Sequence, residues 1–393
     1  MCRNEAESIY EPGTDELDSL RAQINGIDDE IILLFNRRML LARKVAGIKA
    51  ATGGPVYDQT REESILERAR QKCAGNDGLR AETLMRSLMR LSRGAQYDQL
   101  RITDENFQIG RLLENAGRTL PASNRAVYQG TPSSYSARAC SFLFPDAQTN
   151  NVQTFANACQ QVSEEKADLA VLPLENTTAG TVDDVYDLLL QHNLNIWQSV
   201  SLQIQHRLLA LPGTQLSEIR EVISHPQALA QCSDAIRRHG WQVRESLNTA
   251  YAAEAAAGQN NRQIAAIASD EAAANYNLEV LLPDICNTPH NQTRFIVAGK
   301  KPVVLPDADR ISLVIRLPHR SGSLTSTLSI FSDRGLNLSK IQSRPDPQQP
   351  WSYLFYLDVD CKAGDPEALS ALYQLSLEMP YLRLLGWYRE IQA

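Results

Sequence analysis

The chain has 393 residues, 22% of them charged and 43% hydrophobic, an ordinary balance for a soluble globular protein of two or three domains. A formal net charge of −7 argues against a general nucleic-acid binder, no apolar run approaches a membrane span, and the polar start MCRNEAESIYEPGTDE is no signal peptide. Seven cysteines without a Cys-x-x-Cys pair, and six scattered histidines, point to reduced thiols in the cytoplasm, with no cofactor or metal expected.

The first element is a long helix. Leu20, Ile24, Ile27, Ile31, Leu34, Leu41, Val45 and Ile48 recur in steps of four and three, a heptad seam broken only at Arg38. A helix carrying this stripe is about 45 Å long, too long to be covered by the short segments that follow, so a second copy is its natural partner. From Arg37 to Lys49 there are five basic residues and no acid, which attracts an anion. Arg38 and Lys49 share a face about 16 Å apart along the axis. Arg21, roughly 25 Å from Arg38, reaches the same ligand only from the partner chain. For Arg38 alone, a register-setting seam residue paired with an acid is an equal reading.

Gly53-Gly54-Pro55 breaks the chain. Asp58, Arg61 and Glu62 open a second helix, whose other face is Ile65, Leu66 and Ala69. A third helix over 81–97 carries Leu84, Leu88 and Leu91 on a stripe that Ser92 and Gln96 continue.

This set of residues resembles the small all-helical chorismate mutases over 20–96, and the resemblance implies an intertwined dimer. Carried over by position, Arg21 of the partner subunit and Arg38 bind carboxylates, and Lys49 and Gln96 donate to the ether oxygen. Asp58, Arg61, Glu62 and Ser92 complete the site. A pericyclic rearrangement needs no nucleophile; it needs the reactive conformer held and donors aimed at the oxygen that gains charge.

The mutase domain is expected over 14–100 and a linker over 101–124, where periodicity fades into Pro-Ala-Ser-Asn. From 125 to 300 strands and helices alternate, which is α/β grammar. Strands are expected at 126–129, 169–172, 221–224, 241–243 and 264–268. Helices are expected after Ser134 and Asp183, and over 226–239, 249–258 and 270–277. The strand over 169–172 is closed by Pro173, and the loop Glu175-Asn176-Thr177-Thr178-Ala179-Gly180-Thr181 follows it, at a strand's carboxyl end where an α/β sheet holds its ligand.

The run from Leu174 to Leu189 resembles the prephenate dehydratase signature. So do Ser224-His225-Pro226-Gln227-Ala228-Leu229, Asn248-Thr249-Ala250 and Asn291-Gln292-Thr293-Arg294-Phe295, in the same order. The resemblance implies a two-lobed, periplasmic-binding-protein-like domain. Its substrate residues are Ser134, Tyr135, Ser136, Glu175, Asn176, Thr177, Thr178, Gln227, Thr249, Arg294 and Phe295, with Thr293 the acid or donor. Prephenate loses its ring hydroxyl as water while its ring carboxylate leaves as carbon dioxide. Decarboxylation supplies the electrons, so a general acid is required and a base is not. Arg294 is the cation placed for the surviving carboxylate. Glu175 is equally readable as a helix cap. Ser133 stands where the family places Gly before the Ser/Thr-aromatic-Ser triplet, and is strained if that backbone needs a positive φ.

The last segment, over 310–391, reads strand 311–317, helix 324–334, strands 337–342 and 353–360, helix 366–377 and strand 382–390, a ferredoxin-like α+β order. It resembles an ACT domain, which binds an amino acid. Gly322-Ser323-Leu324 and Gln342-Ser343-Arg344-Pro345 match the dehydratase motifs Gly-Ala-Leu and Glu-Ser-Arg-Pro. Asn337 and Leu338 take effector positions. Gln342 removes a charge from the second motif, which bears on the strength of phenylalanine feedback.

Together these resemblances imply a bifunctional chorismate mutase and prephenate dehydratase of phenylalanine biosynthesis, forming a homodimer or higher homo-oligomer. The alternatives are a dehydratase that prefers arogenate and a catalytically dead amino-acid sensor.

Overall fold

The computed structural model describes residues 14–73, 75–122, 125–178 and 180–392. The polar start over 1–13, Ser123 and Asn124 at the linker's end, and Ala179 in the hydroxyl-rich loop lie outside the described residues.

The heptad seam lies on one helix, α1 Thr14–Thr52, about 58 Å long at 1.5 Å per residue. Helices α2 Gln59–Lys72 and α3 Asn76–Arg101 follow, and the expected linker holds a short helix, α4 Gln108–Glu114. The α/β region opens with β1 Arg125–Gln129, α5 Tyr135–Leu143, β2 Gln148–Val152, α6 Phe155–Ser163, β3 Leu169–Asn176, β4 Gly180–Thr181, α7 Asp183–Gln191 and β5 Asn195–Gln203. It continues through β6 Arg207–Ala210, β7 Glu221–Ser224, α8 Pro226–Gln231, α9 Ser233–His239, β8 Gln242–Glu245, α10 Thr249–Gly258, β9 Ile264–Ala268, α11 Asp270–Asn275, β10 Glu279–Leu282 and β11 Gln292–Gly299. The last segment is β12 Arg310–Arg316, α12 Ser323–Ser332, β13 Asn337–Pro345, β14 Tyr353–Asp360, α13 Pro366–Glu378, β15 Tyr381–Tyr388 and β16 Glu390–Gln392.

These elements form two compact units. One holds the described residues up to Phe107 together with Arg320–Arg334 and Leu369–Glu378. In it the carboxy-terminal half of α1 buries Met39, Ala42 and Ala46, with Leu66 of α2 and Met89 and Tyr97 of α3. By contrast, residues 16–34 of α1 leave their apolar side chains in solvent, Ile24 at 56% and Ile31 at 49% exposure. Helix α3 and the turn after it are tied to the two later segments. Arg90 pairs with Asp333 at 2.6 Å, Asp98 with Arg334 at 2.9 Å, and the Tyr373 hydroxyl donates to Asp104 at 2.8 Å.

The second unit holds Gln108–His319, Gly335–Ala368 and the chain from Met379 on. Among the described residues it has three sheets, in the orders β16-β5-β11-β3-β1-β2 with β4 on β3, β10-β6-β9-β7-β8, and β13-β14-β12-β15. The chain leaves the first sheet after β5 and returns to it at β11, so two crossings join two lobes. This is the two-lobed arrangement expected.

Beyond shifts of an element's ends, three differences from the expected elements change the architecture. The strand expected to end before Pro173 runs on to Asn176, because Pro173 sits beside a register shift against β11 where a missing N–H breaks no regular ladder. Glu175 and Asn176 therefore lie on a strand, with side chains on opposite faces. The helix expected over 226–239 is interrupted at Cys232. The strand expected over 382–390 stops at Tyr388, and β16 then joins the first sheet parallel to β5, Glu390 opposite Ser199. Gly386 allows that approach: a Cβ there would meet the Ile196 carbonyl oxygen at 2.3 Å.

Candidate active sites

In the helical unit the elements bring Arg38, Glu62, Ser92 and Gln96 together. Half-buried Arg38 donates through Nη1 to the Leu88 carbonyl at 2.6 Å and to Ser92 Oγ, so one edge of its guanidinium is held against α3. Burial lowers its pKa, and the nearby Glu62 charge acts in the opposite sense. Gln96 is buried; its amide nitrogen donates to the Ser92 carbonyl at 3.2 Å, and its Oε1 has no partner among the described residues. At the end of α1, Lys49 Nζ donates to the carbonyls of Pro55 and Val56 at 2.6 and 2.9 Å. Two of its three N–H bonds are thereby used and the third is left.

Asp58 caps α2 by accepting from the Arg61 N–H at 3.0 Å, and Arg61 itself is exposed. Arg21 stands apart on the exposed half of α1, paired only locally with Asp18 at 3.2 Å.

In the α/β unit the organising residue is buried Asn176, at the carboxyl end of β3. Its Nδ2 lies 2.8 Å from Asn291 Oδ1, 2.9 Å from Thr293 Oγ1 and 3.1 Å from the Gln292 carbonyl. Its Oδ1 accepts from the Thr178 N–H at 3.0 Å and the Thr178 hydroxyl at 2.7 Å. The second lobe reaches in through Gln231, at the end of α8, whose amide nitrogen donates to Thr178 Oγ1 at 2.5 Å. Gln231 Oε1 in turn faces Asn291 Nδ2 at 3.1 Å and His206 Nε2 at 2.9 Å. Burial lowers the His206 pKa, with the Gln231 bond opposing it.

Thr293 is thus brought to Asn176 and Thr178, and Gln231, Asn291 and His206 join them. Gln231 follows Gln227 by one helical turn, and that spacing was the available signal for it. Gln227 is exposed at the start of α8, its N–H on His225 Nδ1 at 3.2 Å, and Thr249 is half-buried as the first residue of α10. Thr177 is spent on backbone: its hydroxyl donates to the His290 carbonyl and accepts from the Gln292 N–H, both at 2.9 Å. Phe295 is core.

In the loop before α5, Ser134 is the N-cap, accepting from the Ala137 N–H at 3.2 Å, and Ser136 is buried. The Tyr135 hydroxyl donates to the Gln205 carbonyl at 2.6 Å, at the crossing between lobes. Ser133 is not left-handed; the positive φ of this loop belongs to Gly130, at 108°. Ser133 instead accepts from Asn275 Nδ2 of the second lobe at 2.5 Å, so the strain considered for it does not arise.

Glu175 and Arg294, neighbours of Asn176 and Thr293 in sequence, face the other side of their strands. Arg294 Nη2 lies 2.7 Å from both Glu175 Oε2 and Asp358 Oδ2, and Lys340 Nζ lies 3.1 Å from Glu175. Arg294 therefore carries no contact to Thr293's network; its charge is committed to carboxylates. Gln342 Oε1 accepts from the Thr181 hydroxyl at 2.6 Å, and Arg344 pairs with Asp187 at 3.0 Å. Asn337 donates to Asp360 at 2.8 Å, and Leu338 and Ser343 share its strand, which Pro345 ends. Gly322 is left-handed at φ 77° and caps α12, where Ser323 is buried beside half-buried Leu324.

No helix among the described residues is long and apolar enough to cross a membrane. Three family descriptions match in order: chorismate mutase type II over residues 20–97, prephenate dehydratase over 126–303 and ACT domain over 311–376. An Arabidopsis thaliana protein named arogenate dehydratase/prephenate dehydratase 1, chloroplastic, is 34% identical over 81% of this chain and 89% of its own. A prephenate dehydratase structure from Arthrobacter aurescens, in complex with L-Phe, aligns with a TM-score of 0.63 at 31% identity, covering 67% of this chain and 90% of that one. The bifunctional chorismate mutase/prephenate dehydratase of Enterobacter agglomerans is 32% identical over 94% of this chain and 95% of its own. That last match runs over nearly the whole chain, helical, α/β and ACT segments together, and it is to the bifunctional chorismate mutase/prephenate dehydratases that the chain belongs.

Proposed function

We propose that the chain makes phenylpyruvate from chorismate in two steps at two separate sites. Chorismate rearranges to prephenate in the helical domain; prephenate loses water and carbon dioxide in the α/β domain. In the first step Arg38 and the partner subunit's Arg21 hold carboxylates. The free N–H bonds of Lys49 and Gln96 meet the ether oxygen as it gains charge. The exposed amino-terminal half of α1 supports a homodimer that supplies Arg21.

The observation that carries the dehydratase reading is the hydrogen bond from Asn176 to Thr293. Because the Thr293 oxygen accepts from Asn176 Nδ2, its own proton is directed elsewhere. No acceptor for that proton occurs among the described residues, so it is available to the departing ring hydroxyl. Thr178, Gln231 and Asn291 orient Asn176 from both lobes. The protein acts in the cytoplasm, and phenylalanine is the effector of the ACT domain. Arogenate is the second substrate to compare, in view of the plant relative's name.

The test follows both products from chorismate alone, with Lys49→Ala and Thr293→Ala beside the parent. Lys49→Ala should lower mutase turnover about 100-fold or more and spare turnover of added prephenate; Thr293→Ala should do the reverse by about 100-fold. If either change stopped both reactions in folded protein, the assignment of two independent sites would be wrong.

A further inference from the structure

Arg93 lies on α3 between Ser92 and Gln96, and no role follows for it from sequence. Its side chain is 9% exposed and bridges two carboxylates. Nη1 binds Glu62, and Nε lies 3.1 Å from Glu378 Oε1. Glu378 ends α13, is 6% exposed, and also accepts from Gln374 Nε2 at 3.2 Å. The Tyr57 ring lies 5.2 Å from the same guanidinium. Burial alone would lower the Arg93 pKa; Glu378 and then Glu62 outweigh it, and the pKa is raised.

A buried cation shared by two carboxylates cannot shift toward one without weakening the other. Glu62 therefore has its position dictated from α13, through Arg93. The Glu62 charge also acts on Arg38, so displacement of Glu62 would alter the field at the carboxylate clamp.

We propose that Arg93 is a positioning residue of the mutase site, holding the Glu62 carboxylate where it meets chorismate, with Glu378 of the ACT segment as its second anchor. The carboxy-terminal segment is then part of what sets chorismate affinity. The inference rests on the assignment of Glu62 to the mutase site.

The test uses full-length Glu378→Gln, Arg93→Met and Arg93→Lys, with Lys49→Ala as reference. Mutase KM and kcat are measured on chorismate, and dehydratase turnover on added prephenate. Glu378→Gln should raise KM for chorismate about tenfold with kcat changed less than about threefold, and leave dehydratase turnover unchanged. Arg93→Met should raise KM further, and Arg93→Lys should recover part of the loss. Unchanged KM in Glu378→Gln, or a fall in kcat alone that tracks the folded fraction, would overturn the proposal. If Arg93→Met does not fold, Glu378→Gln decides alone. If Lys49→Ala keeps mutase activity, the site assignment itself falls; if Lys49→Ala is inactive while Glu378→Gln is normal, only the Arg93 inference does.

Discussion

His206 is the buried side chain through which the proposed dehydratase site is expected to respond to pH. Its Nε2 meets Gln231 Oε1, which also accepts from Asn291, and its Nδ1 is buried with no partner among the described residues. The neutral ring with its proton on Nε2 fits this arrangement; a second proton on Nδ1 would be buried without an acceptor. Burial accordingly lowers the pKa, the Gln231 bond opposing it. The folded value lies below the ordinary ~6.5, so the unfolded chain binds the proton more readily and stability rises with pH in this window. The contribution is complete above about pH 6.5 and is lost as pH falls from there through the lowered folded value. Thermal stability and prephenate turnover should decline together over that window, and His206→Asn should flatten both profiles. An unaltered profile in His206→Asn would assign the dependence to another group. The motifs that carry Asn176 and Thr293 were legible in sequence, and the structure joins the two side chains by a hydrogen bond at 2.9 Å. Gln231, Asn291 and His206 were not assigned, because they matter through hydrogen bonds across two lobes that no local pattern encodes. Arg294 was readable only as a cation near Thr293; which face of a strand it takes depends on the carboxylate that waits there.

At the scale of the element, α1 is two helices in one. Its second half is packed by α3, while residues 16–34 are exposed on every side, including the seam positions Leu20, Ile24, Ile27 and Ile31. Covering one such side chain is worth about 1.5–3 kcal/mol, so a partner helix over four of them is strongly favoured. Ile31→Lys places a charge in the seam at a residue remote from Lys49. The expected outcome is a monomer by light scattering, with mutase turnover reduced about 100-fold because Arg21 no longer arrives from a partner. A fully active monomer would remove Arg21 from the site. Helices and strands with a clean period were legible, β7, α10, β9 and β14 to the residue. The strand β2, Gln-Thr-Asn-Asn-Val, was not, since it is an exposed edge strand without alternation. The strand β5 was missed for the opposite reason. Its polar Gln198, Ser199 and Ser201 are buried because β16 returns from the far end of the chain to cover them, Ser201 donating to Glu390.

At the scale of the whole molecule, strands β3 and β11 carry different business on their two faces. On one face Asn176 and Thr293 form the hydrogen-bond network proposed as the dehydratase site; on the other, Glu175 and Arg294 are tied to the ACT strands. Arg294 is 9% exposed and shared between Glu175 and Asp358, and Lys340 of β13 is 10% exposed, between Glu175 and the Thr181 hydroxyl at 3.3 Å. Burial lowers the Lys340 pKa, with Glu175 as the chief opposing influence. A displacement of β13 therefore changes the charge balance at Glu175 directly, one residue from Asn176, and at Thr181 in β4. Such a shared cluster is a physical connection by which effector occupancy could bias the catalytic strands, and its strength is a measurable coupling energy. Lys340→Met keeps the side chain's bulk and removes the charge, leaving Glu175 its pair with Arg294. Prephenate turnover without phenylalanine should stay within about twofold, while the phenylalanine concentration for half inhibition rises about tenfold, a coupling loss of about 1.4 kcal/mol. Mutase turnover should not change, because the cluster contains none of its residues. An inhibition curve that superimposes on the parent's would show that the ACT strands act on the dehydratase by another route, and Gln342 on Thr181 would be the next contact to break.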